Sequence, residues 1–499
     1  MLTTLSCCCN MPVVKVNCWN NMKVQIKSIT QWGGVLLLSF SSCYVNANKL
    51  IKPNILFIAV DDLKPLIRDY GTAKVQTPNI DKLASQSTVF TRAYSQYPVC
   101  GPSRMSILTG LRPESNGIMN LKDKIRDVNP SVITLPQFFK NNGYETAATG
   151  KIFDPRNTTS RSEEEVLSWS IPYQRPKHGL KGKTRLAVES IDEPDEKFVD
   201  GGILKRGKKL LKQMANKNKP FFLAVGFKKP HLPFVAPKKY YDLYSRESFD
   251  LASYQSAPED ADTTYLFHKN QELRGYKPTP IKGGEIKPYP KGKLSSAHQK
   301  ELLHGYFASV SFIDSLVGEL LEELEKTGQA ENTVIVFWGD HGFHLGDHGL
   351  WGKHTTMEQA NHVPLIIKIP GSKANRYAKP VELLDVFPSL TEAAGLSIPN
   401  NLQGTSLVSL VTGKLKSIDK VAISQYKRKG AYGYSMRTEQ YRYTQWVTPS
   451  GKVVYRDLYD LINDPLETKN IINTPEGKLL EVELNKQLHT NSAGLKRLK

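Results

Sequence analysis

Runs of apolar residues without alternation predict several buried strands in this chain. The clearest is Ile55 to Val60, which leads directly into Asp61-Asp62. A strand that is apolar at every position is typical of a sheet covered on both faces. Further strands are predicted at Thr146 to Thr149, Phe221 to Gly226, Thr333 to Trp338 and Pro364 to Ile369.

Helical patterns alternate with these strands. Helices are expected to begin near Pro78, to follow Pro102-Ser103, and to cover Phe198 to Met214, Ala297 to Lys326 and Val381 to Ala394. Alternation of this kind predicts an α/β fold, with a large, mostly parallel sheet flanked by helices.

The sequence pattern changes near residue 431 from alternating strands and helices to short β-rich segments. These segments lie at Tyr432 to Thr438, Tyr441 to Val447 and Lys452 to Tyr459, and a terminal helix follows. We therefore expect a main domain over residues 48–430 and a smaller α+β domain over 431–499. Residues 228–295, rich in Lys, Pro, Tyr and Gly, predict long surface loops of the kind that shape substrate clefts.

The N-terminus predicts export. An apolar run at Val35 to Leu38 follows a basic stretch and precedes Val45-Asn46-Ala47, which has the small-residue spacing of a signal-peptidase site. The run is too short to span a bilayer. We expect residues 1–47 to form an upstream extension and a cleaved signal peptide, and the mature chain to be periplasmic or secreted without a transmembrane segment. Lipid attachment at Cys43 is an alternative.

Cysteine usage singles out one thiol. Five of the six cysteines lie in or before the leader, namely Cys7, Cys8, Cys9, Cys18 and Cys43. Cleavage after Ala47 leaves Cys100 as the only cysteine, so no disulfide can form within the mature chain. Such a thiol is either buried and inert, or its chemistry is used.

The formal net charge of +19 on 499 residues indicates a surface that attracts polyanions. Nucleic acid, an anionic membrane and an acidic polysaccharide would each fit. The sequence has no zinc-finger spacing, RNP-like aromatic pattern or dense arginine run, and this argues against nucleic acid.

Two acidic pairs follow predicted strands. Asp61-Asp62 follows Ile55 to Val60, and Asp340-His341 follows Thr333 to Gly339. The carboxyl ends of strands in open α/β sheets are where ligands bind, and oxygen-rich ligation favours Ca²⁺ or Mg²⁺. Each pair could instead be a solvated turn or a helix cap. That alternative is weaker for Asp340-His341, because histidines and glycines crowd residues 341–349.

The segment around the lone thiol has a recognisable pattern. Cys100-Gly101-Pro102-Ser103-Arg104, continued by Thr109-Gly110-Leu111-Arg112-Pro113, resembles the C-x-P-S-R signature of formylglycine-dependent (type I) sulfatases. In that family a formylglycine-generating enzyme oxidises the cysteine. The hydrated aldehyde supplies two hydroxyls on one carbon, one to attack sulfur and one to expel sulfate afterwards.

The resemblance covers nearly the whole mature chain and is to iduronate-2-sulfatase and its bacterial polysaccharide-sulfatase relatives. It is carried by Pro53 to Leu63, Gly150 to Phe153, Lys229 to Phe234, Gly339 to Gly342 and Gly346 to Lys353. It implies the alkaline phosphatase-like fold, which agrees with the strand pattern, and makes residues 48–430 the catalytic domain.

The resemblance also implies the site. The implied ligands of one calcium ion are Asp61, Asp62, modified Cys100, Asp340 and His341. Arg104 would hold the modified residue and the charges of the metal site. Lys151 and Lys353 would contact sulfate oxygens, and His231 would protonate the departing sugar oxygen.

One position departs from the family pattern. Many sulfatases place a histidine shortly after the Gly-Lys pair, where it is thought to act as the base for the second step. This chain has Asp154 there. Asp154 with a raised pKa, or another residue such as His354, could take the role, and the sequence leaves both open.

The expected function is hydrolysis of sulfate esters on an anionic carbohydrate, with uronate-containing glycans such as ulvan among the candidates. Carrageenan and animal glycosaminoglycans fit as well. Two other functions stay open: a phosphatase or phosphodiesterase of the same superfamily, which usually presents Ser or Thr as nucleophile, and a non-catalytic relative that binds sulfated glycans.

Overall fold

The strands predicted from continuous apolar runs form the centre of the molecule. The structure is a computed structural model, and it describes residues 52–71, 74–159, 165–174, 176, 179–182, 186–267, 272–276, 294–492 and 495. In chain order the strands are β1 (Asn54–Val60), β2 (Thr88–Phe90), β3 (Ala93–Tyr94), β4 (Glu145–Gly150), β5 (Val188–Ile191), β6 (Phe221–Phe227), β7 (Phe234–Pro237), β8 (Thr333–Gly339), β9 (His344–Leu345), β10 (Trp351–Gly352), β11 (His362–Val363), β12 (Leu365–Lys368), β13 (Asn375–Tyr377), β14 (Val381–Glu382), β15 (Ala422–Arg428), β16 (Ala431–Arg437), β17 (Tyr441–Val447) and β18 (Val453–Asp460).

The helices lie mainly between these strands. They are α1 (Pro78–Ala84), α2 (Cys100–Thr109), α3 (Pro113–Asn116), α4 (Ile125–Val128), α5 (Leu135–Asn141), α6 (Val199–Ala215), α7 (Lys238–Tyr241), α8 (Thr263–Leu266), α9 (Ser296–Lys326), α10 (Glu358–Asn361), α11 (Val386–Ala393), α12 (Val408–Val411) and α13 (Pro475–Asn491). None of the described helices is long and apolar enough to cross a membrane.

The central sheet has the strand order β13-β2-β12-β8-β1-β6-β4 in the described part of the chain. β1 lies parallel to both β6 and β8, and β4 lies parallel to β6. β12 runs antiparallel to both β8 and β2. The prediction of a large, mostly parallel sheet is therefore confirmed, with β12 as the strand that makes it mixed.

Both faces of this sheet are covered. On β1, Leu56 and Ile58 belong to a core shared with α6 and α9, whereas Ile55 and Phe57 belong to a second core shared with α2, α5 and α11. Successive side chains of a strand point to opposite faces, so a strand placed between two cores must be apolar at every position. This accounts for the unbroken apolar run in the sequence.

One helix begins later in the structure than its sequence pattern predicts. The structure has β14 at Val381–Glu382, a single 3-10 turn at Leu383–Asp385, and helix only from Val386. β14 pairs in parallel with β3, and Glu382 is held by Arg112 through two hydrogen bonds of 2.7 and 3.0 Å. These tertiary contacts override the apolar periodicity that predicted a helix from Val381.

A second sheet is formed by β15, β16, β17 and β18 in sequential antiparallel order, and α13 packs against it. β15 pairs with β16 from Ala422↔Arg437 to Arg428↔Ala431. The boundary expected between residues 430 and 431 therefore falls within a β-hairpin, and this sheet begins at Ala422. The division into two domains itself stays a prediction, as do the expectations for residues 1–47 and Cys43, which lie outside the described residues.

Candidate active site

The pairs Asp61-Asp62 and Asp340-His341 meet at the carboxyl edge of the central sheet. Val60 and Gly339 are opposite residues of the parallel pair β1 and β8, so Asp61-Asp62 and Asp340-His341 leave the sheet side by side. The backbone N–H of Asp62 donates to Asp340 Oδ1 at 3.0 Å. Asp62 has a φ of 60°. This left-handed conformation is one that Asp tolerates better than most residues, and such outliers cluster at functional sites.

Cys100 is the first residue of α2 and lies against this edge. Its Sγ is 3.2 Å from His341 Nε2, 3.5 Å from Lys353 Nζ and 3.8 Å from Asp62 Oδ1. The side chain is buried, and burial, together with the Asp61 carboxylate, raises the pKa of the thiol. Among the described residues Cys100 is a free cysteine, as the sequence indicated.

Arg104 lies one helical turn after Cys100, on the same face of α2. Its Nε donates to Asp340 Oδ2 at 2.8 Å, and its Nη2 donates to Asp61 Oδ1 at 3.2 Å. The side chain is fully buried. A planar guanidinium is suited to bridging two carboxylates in this way, and here it fixes their separation.

Two lysines complete the cluster, each directly after a strand that ends in glycine. Lys151 Nζ donates to Asp61 at 2.6 and 2.9 Å. Lys353 Nζ donates to Asp62 at 2.7 and 2.9 Å. Burial on its own would raise the pKa of Asp61, but Lys151 and Arg104 hold it well below its usual range.

His231 borders the cluster and is more open to solvent. Its Nε2 lies 3.9 Å from Asp62 Oδ2, its Nδ1 contacts the Leu232 carbonyl at 2.7 Å, and its side chain is 27% exposed. The structure thus brings together the nine residues that the resemblance implied for the metal site and the reaction: Asp61, Asp62, Cys100, Arg104, Lys151, His231, Asp340, His341 and Lys353.

Asp154 does not have the raised pKa that a base at this position would need. Arg156 donates to its two oxygens from Nε at 2.9 Å and Nη2 at 2.7 Å. Burial on its own would raise the pKa of Asp154, but these hydrogen bonds and the Lys151 charge hold it well below its usual range. His354 contacts the Tyr426 hydroxyl through Nδ1 at 3.2 Å.

Sequence reasoning missed three residues at this site. Glu272 pairs with Lys353 at 3.1 Å, although no motif surrounds it. The Tyr306 hydroxyl donates to the Asp62 carbonyl at 2.7 Å and accepts from the Lys64 N–H at 2.9 Å. Arg156 was overlooked because only its partner Asp154 occupies a family position.

A cavity of about 440 Å³ opens beside the cluster. Its basic lining residues are Lys151, Arg156, Lys181, Lys228, Lys229 and His231, and its acidic ones are Asp61, Asp154, Asp200 and Glu272. Residues 228–233 belong to the segment expected to form loops around a cleft.

The donor atoms of the cluster suit a hard cation. Among the described residues, one group comprises Asp61, Cys100, Asp340 and His341, and an overlapping group comprises Asp61, Asp62, Cys100 and His231. Within each group the candidate ligand atoms lie within 4.8 Å of one another. Carboxylates supply two of the four donors in each group, and oxygen donors are those that Ca²⁺ or Mg²⁺ prefers.

Comparison with known proteins places this arrangement in a family. A family model described as "Sulfatase" matches residues 53–396. The chain belongs to the sulfatase family. A second model, "N-sulphoglucosamine sulphohydrolase, C-terminal", matches residues 346–494 of this sulfatase.

Relatives of this sulfatase match over most of its length. It is 31% identical to iduronate 2-sulfatase from Homo sapiens, over 85% of this chain and 92% of that one. It is 32% identical to a sulfatase from Formosa agariphila, over 89% of each chain. A solved protein in complex with its substrate D-glucosamine-2-N,6-O-disulfate has a TM-score of 0.71 at 22% identity, over 89% of this chain and 98% of that one. This sulfatase is therefore a sulfuric ester hydrolase with the alkaline phosphatase-like fold.

Proposed function

We propose that this sulfatase removes sulfate from an anionic carbohydrate, using a formylglycine made from Cys100 and one calcium ion. The observation that carries the proposal is the position of Cys100. The cysteine of a C-x-P-S-R segment opens helix α2, with its Sγ within 4 Å of Asp62, His341 and Lys353. Oxidation to formylglycine gives a hydrated aldehyde whose hydroxyls can attack sulfur and later release sulfate.

Asp61, Asp62, Asp340 and His341 would hold calcium together with modified Cys100. Bound calcium would supply Lewis-acid polarisation of a sulfate oxygen. Among the residues paired here, the four carboxylates of Asp61, Asp62, Asp340 and Glu272 exceed the cations of Arg104, Lys151 and Lys353 by one. A divalent cation would leave the centre net positive, which favours an anionic ester.

The chain's own residues divide the remaining work. Arg104 fixes the separation of Asp61 and Asp340, and so preserves the geometry of the site. Lys151 and Lys353 supply positive charge where the sulfate oxygens would lie. His231, at the open side of the cluster, would protonate the departing sugar oxygen.

The proposed substrate is a sulfated, uronate-containing glycan, of which ulvan is one candidate. Three features support this class: the basic cavity wall, the net charge of +19, and the similarity to a relative named iduronate 2-sulfatase. We further propose that the chain is exported, periplasmic or secreted, and matured by a formylglycine-generating enzyme.

Mass analysis of the Cys100 peptide, combined with assay of sulfate release, tests the nucleophile. Enzyme co-expressed with a formylglycine-generating enzyme is expected to carry the aldehyde and to release sulfate. Cys100→Ala is expected to fold but to lose activity by more than about 10³-fold, the scale of losing a nucleophile. The matched control is wild-type chain made without the maturing enzyme, which keeps its thiol and should be equally inactive. Full activity with an unoxidised thiol would overturn the proposal.

Chelation tests the metal. Treatment with EDTA is expected to abolish sulfate release, and added Ca²⁺ is expected to restore it. Binding of ⁴⁵Ca by wild type, compared with Asp340→Asn, gives a readout independent of activity. Sulfate release that persists in metal-free enzyme would contradict a calcium site.

A further inference from the structure

An ion pair on the cavity wall is not accounted for by the reaction centre. Arg156 donates to Asp154 from its backbone N–H at 3.0 Å, from Nε at 2.9 Å and from Nη2 at 2.7 Å. Asp154 is fully buried, whereas the Arg156 side chain is 48% exposed. The carboxylate is thus fixed within the protein, and the guanidinium lies at the surface of the cavity.

The guanidinium retains donors that Asp154 does not use. Arginine has five N–H donors in a planar fork. Asp154 accepts hydrogen bonds from the Nε–H and from one N–H of Nη2. Among the described residues, no hydrogen bond uses an N–H of Nη1. The remaining edge has the geometry that binds a carboxylate or sulfate through two parallel hydrogen bonds.

This edge lies close to the reaction centre. Asp154 Oδ2 is 3.8 Å from Lys151 Nζ, which in turn is 2.6 Å from Asp61. Lys151 and Arg156 therefore flank the same carboxylate and line the same cavity. A sugar whose sulfate reaches Lys151 would bring its next substituent, or that of the neighbouring sugar, to Arg156.

Asp154 occupies one edge of the guanidinium, and the other acidic residues of the wall have partners elsewhere. Glu272 pairs with Lys353 at 3.1 Å, and Asp200 accepts the Lys228 N–H at 2.6 Å. We propose that Arg156, held in place by Asp154, binds a second anionic group of the substrate beside the sulfate that is removed. The proposal rests on the proposed action on an anionic glycan. It assigns Arg156 to substrate selectivity and makes Asp154 a positioning residue.

The test compares three substrates on one set of variants. The substrates are 4-nitrophenyl sulfate, which has one anionic group; a monosulfated disaccharide that also carries a uronate carboxylate; and a disulfated hexosamine without a carboxylate. The variants are Arg156→Gln, Arg156→Lys and Asp154→Asn. Arg68→Gln is the matched control, because Arg68 also pairs with an aspartate, Asp81 at 3.5 Å, but is 78% exposed and does not line the cavity.

For Arg156→Gln we expect the ratio of kcat/KM on a doubly anionic substrate to that on 4-nitrophenyl sulfate to fall about 10- to 100-fold, the scale of one charge-assisted hydrogen-bonded pair. The loss should be mainly in KM, and Arg156→Lys should recover part of it. Asp154→Asn should show the same selectivity loss in weaker form. A fall with the uronate-containing disaccharide identifies the bound group as a carboxylate, and a fall with the disulfated hexosamine identifies it as a sulfate.

Equal losses on all three substrates would overturn the proposal, because they would make the pair a brace for Lys151. An unchanged selectivity ratio in Arg156→Gln, matching that of Arg68→Gln, would overturn it as well. Failure of the proposed function looks different, since wild type itself would then release no sulfate from either glycan. Thermal melting of each variant separates loss of fold from loss of selectivity.

Discussion

At the scale of single residues, the site is held together by charge pairing under burial. Asp61, Asp62 and Asp340 are each at most 2% exposed, and isolated carboxylates in such surroundings are very unfavourable. Arg104 bridges two of them, and its Nη1 also donates to the backbone carbonyls of Lys151 and Ile152. One side chain therefore couples β1, β8 and the segment after β4.

The first prediction concerns Arg104→Lys. Lysine keeps the charge but lacks the planar guanidinium that bridges two carboxylates. Either Asp61 or Asp340 therefore loses its hydrogen bond from residue 104. We expect the free energy of unfolding to fall by about 3 kcal/mol and kcat to fall about 100-fold, because the remaining groups shift. Denaturant unfolding and sulfate release measure the two effects, with activity normalised to the content of the proposed formylglycine in the Cys100 peptide.

Arg68→Lys is the control for that change. The exposed Arg68–Asp81 pair should contribute less than about 1 kcal/mol. If Arg104→Lys had no larger effect on stability than Arg68→Lys, the bridging role of Arg104 would be refuted.

The second prediction concerns Lys229, which lines the cavity and donates to the carbonyls of His231 and Pro233 at 2.7 and 2.6 Å. Burial lowers the pKa of Lys229 to about 8. It is therefore charged below that pH and neutral above it. The KM for an anionic glycan should rise about five-fold as the pH increases through 8, since the cavity loses a positive charge.

Measurement of KM from about pH 6.5 to 9.5 checks this prediction. Lys229→Met should start from a higher KM and lose the inflection near pH 8. Lys82→Met, at an exposed position paired with Glu325, should retain it. An identical inflection in Lys229→Met would assign the titration to another group.

The spatial neighbours of a site residue could be predicted where a motif contained that residue, and not elsewhere. The motifs around Cys100 and Lys353 identified their residues correctly as neighbours in space. Glu272 has no such context, because its place depends only on chain folding that brings it to Lys353. The possibility that Asp154 has a raised pKa was wrong for a related reason: the sequence does not show that Arg156 folds back onto it.

At the scale of elements, the site depends on how closely strand ends approach each other. Gly226 in β6 is opposite Gly150 at the end of β4, and Lys151 N–H donates to the Gly226 carbonyl at 2.8 Å. A Cβ on Gly226 would lie 2.0 Å from the Lys151 carbonyl oxygen and 2.4 Å from its carbon. Only glycine allows the backbone of Lys151 to take this position.

The third prediction is therefore that Gly226→Ala displaces Lys151. The contact is with backbone atoms, which cannot rotate away. We expect kcat to fall about 100-fold, because a displacement of roughly 1 Å at a catalytic group, the role proposed for Lys151, has effects of that size. Steady-state kinetics on a folded sample, confirmed by circular dichroism, is the measurement.

Gly207→Ala provides the matched glycine substitution. Gly207 lies inside α6, and its added Cβ would meet nothing nearer than Val225 Cγ2 at 3.4 Å. Helix propensity then favours alanine, and stability should rise by about 0.5–1 kcal/mol with kcat retained. A Gly226→Ala enzyme with kcat within about two-fold of wild type would contradict the role given to this strand contact.

Most of the long elements were predictable, although the seven-residue strand β15 was not. β1, β6, β8 and α9 follow their sequence patterns closely, because seven or more residues give a continuous apolar run in the strands and a helical period in α9. β9, β10 and β11 have two residues each and show no period. Such short strands form because a partner strand lies beside them, as β3 lies beside β14. The pattern of a single sequence contains no information on which strands pair.

At the scale of the whole molecule, the second sheet supports the site. The Tyr426 hydroxyl of β15 contacts His354, Ser435 Oγ of β16 donates to the Thr356 carbonyl at 3.2 Å, and Arg437 pairs with Glu358 at 3.3 Å. These contacts fix the segment that follows Lys353. The C-terminal sheet therefore supports the segment that carries Lys353, the proposed sulfate-binding lysine, and the sequence pattern of this sheet did not indicate that role.

The charge of the molecule acts over a longer range than any of these contacts. Loss of residues 1–47 would remove only three lysines, so the remaining chain keeps a net charge of +16. Fields of this kind accelerate the encounter with a polyanion and are screened by salt, whereas contacts in a buried site are screened much less. Salt dependence should therefore distinguish surface steering from chemistry at the reaction centre.

The fourth prediction is that kcat/KM for a sulfated polysaccharide falls about 10-fold or more between about 20 and 500 mM NaCl, because the Debye length shrinks from roughly 20 to 4 Å. 4-Nitrophenyl sulfate, with a single charge, serves as the control and should lose less than about three-fold. The loss should lie in kcat/KM rather than kcat, since steering changes encounter and not turnover. Equal salt slopes for the two substrates would mean that the surface field does not guide the glycan, and that the positive charge serves another purpose.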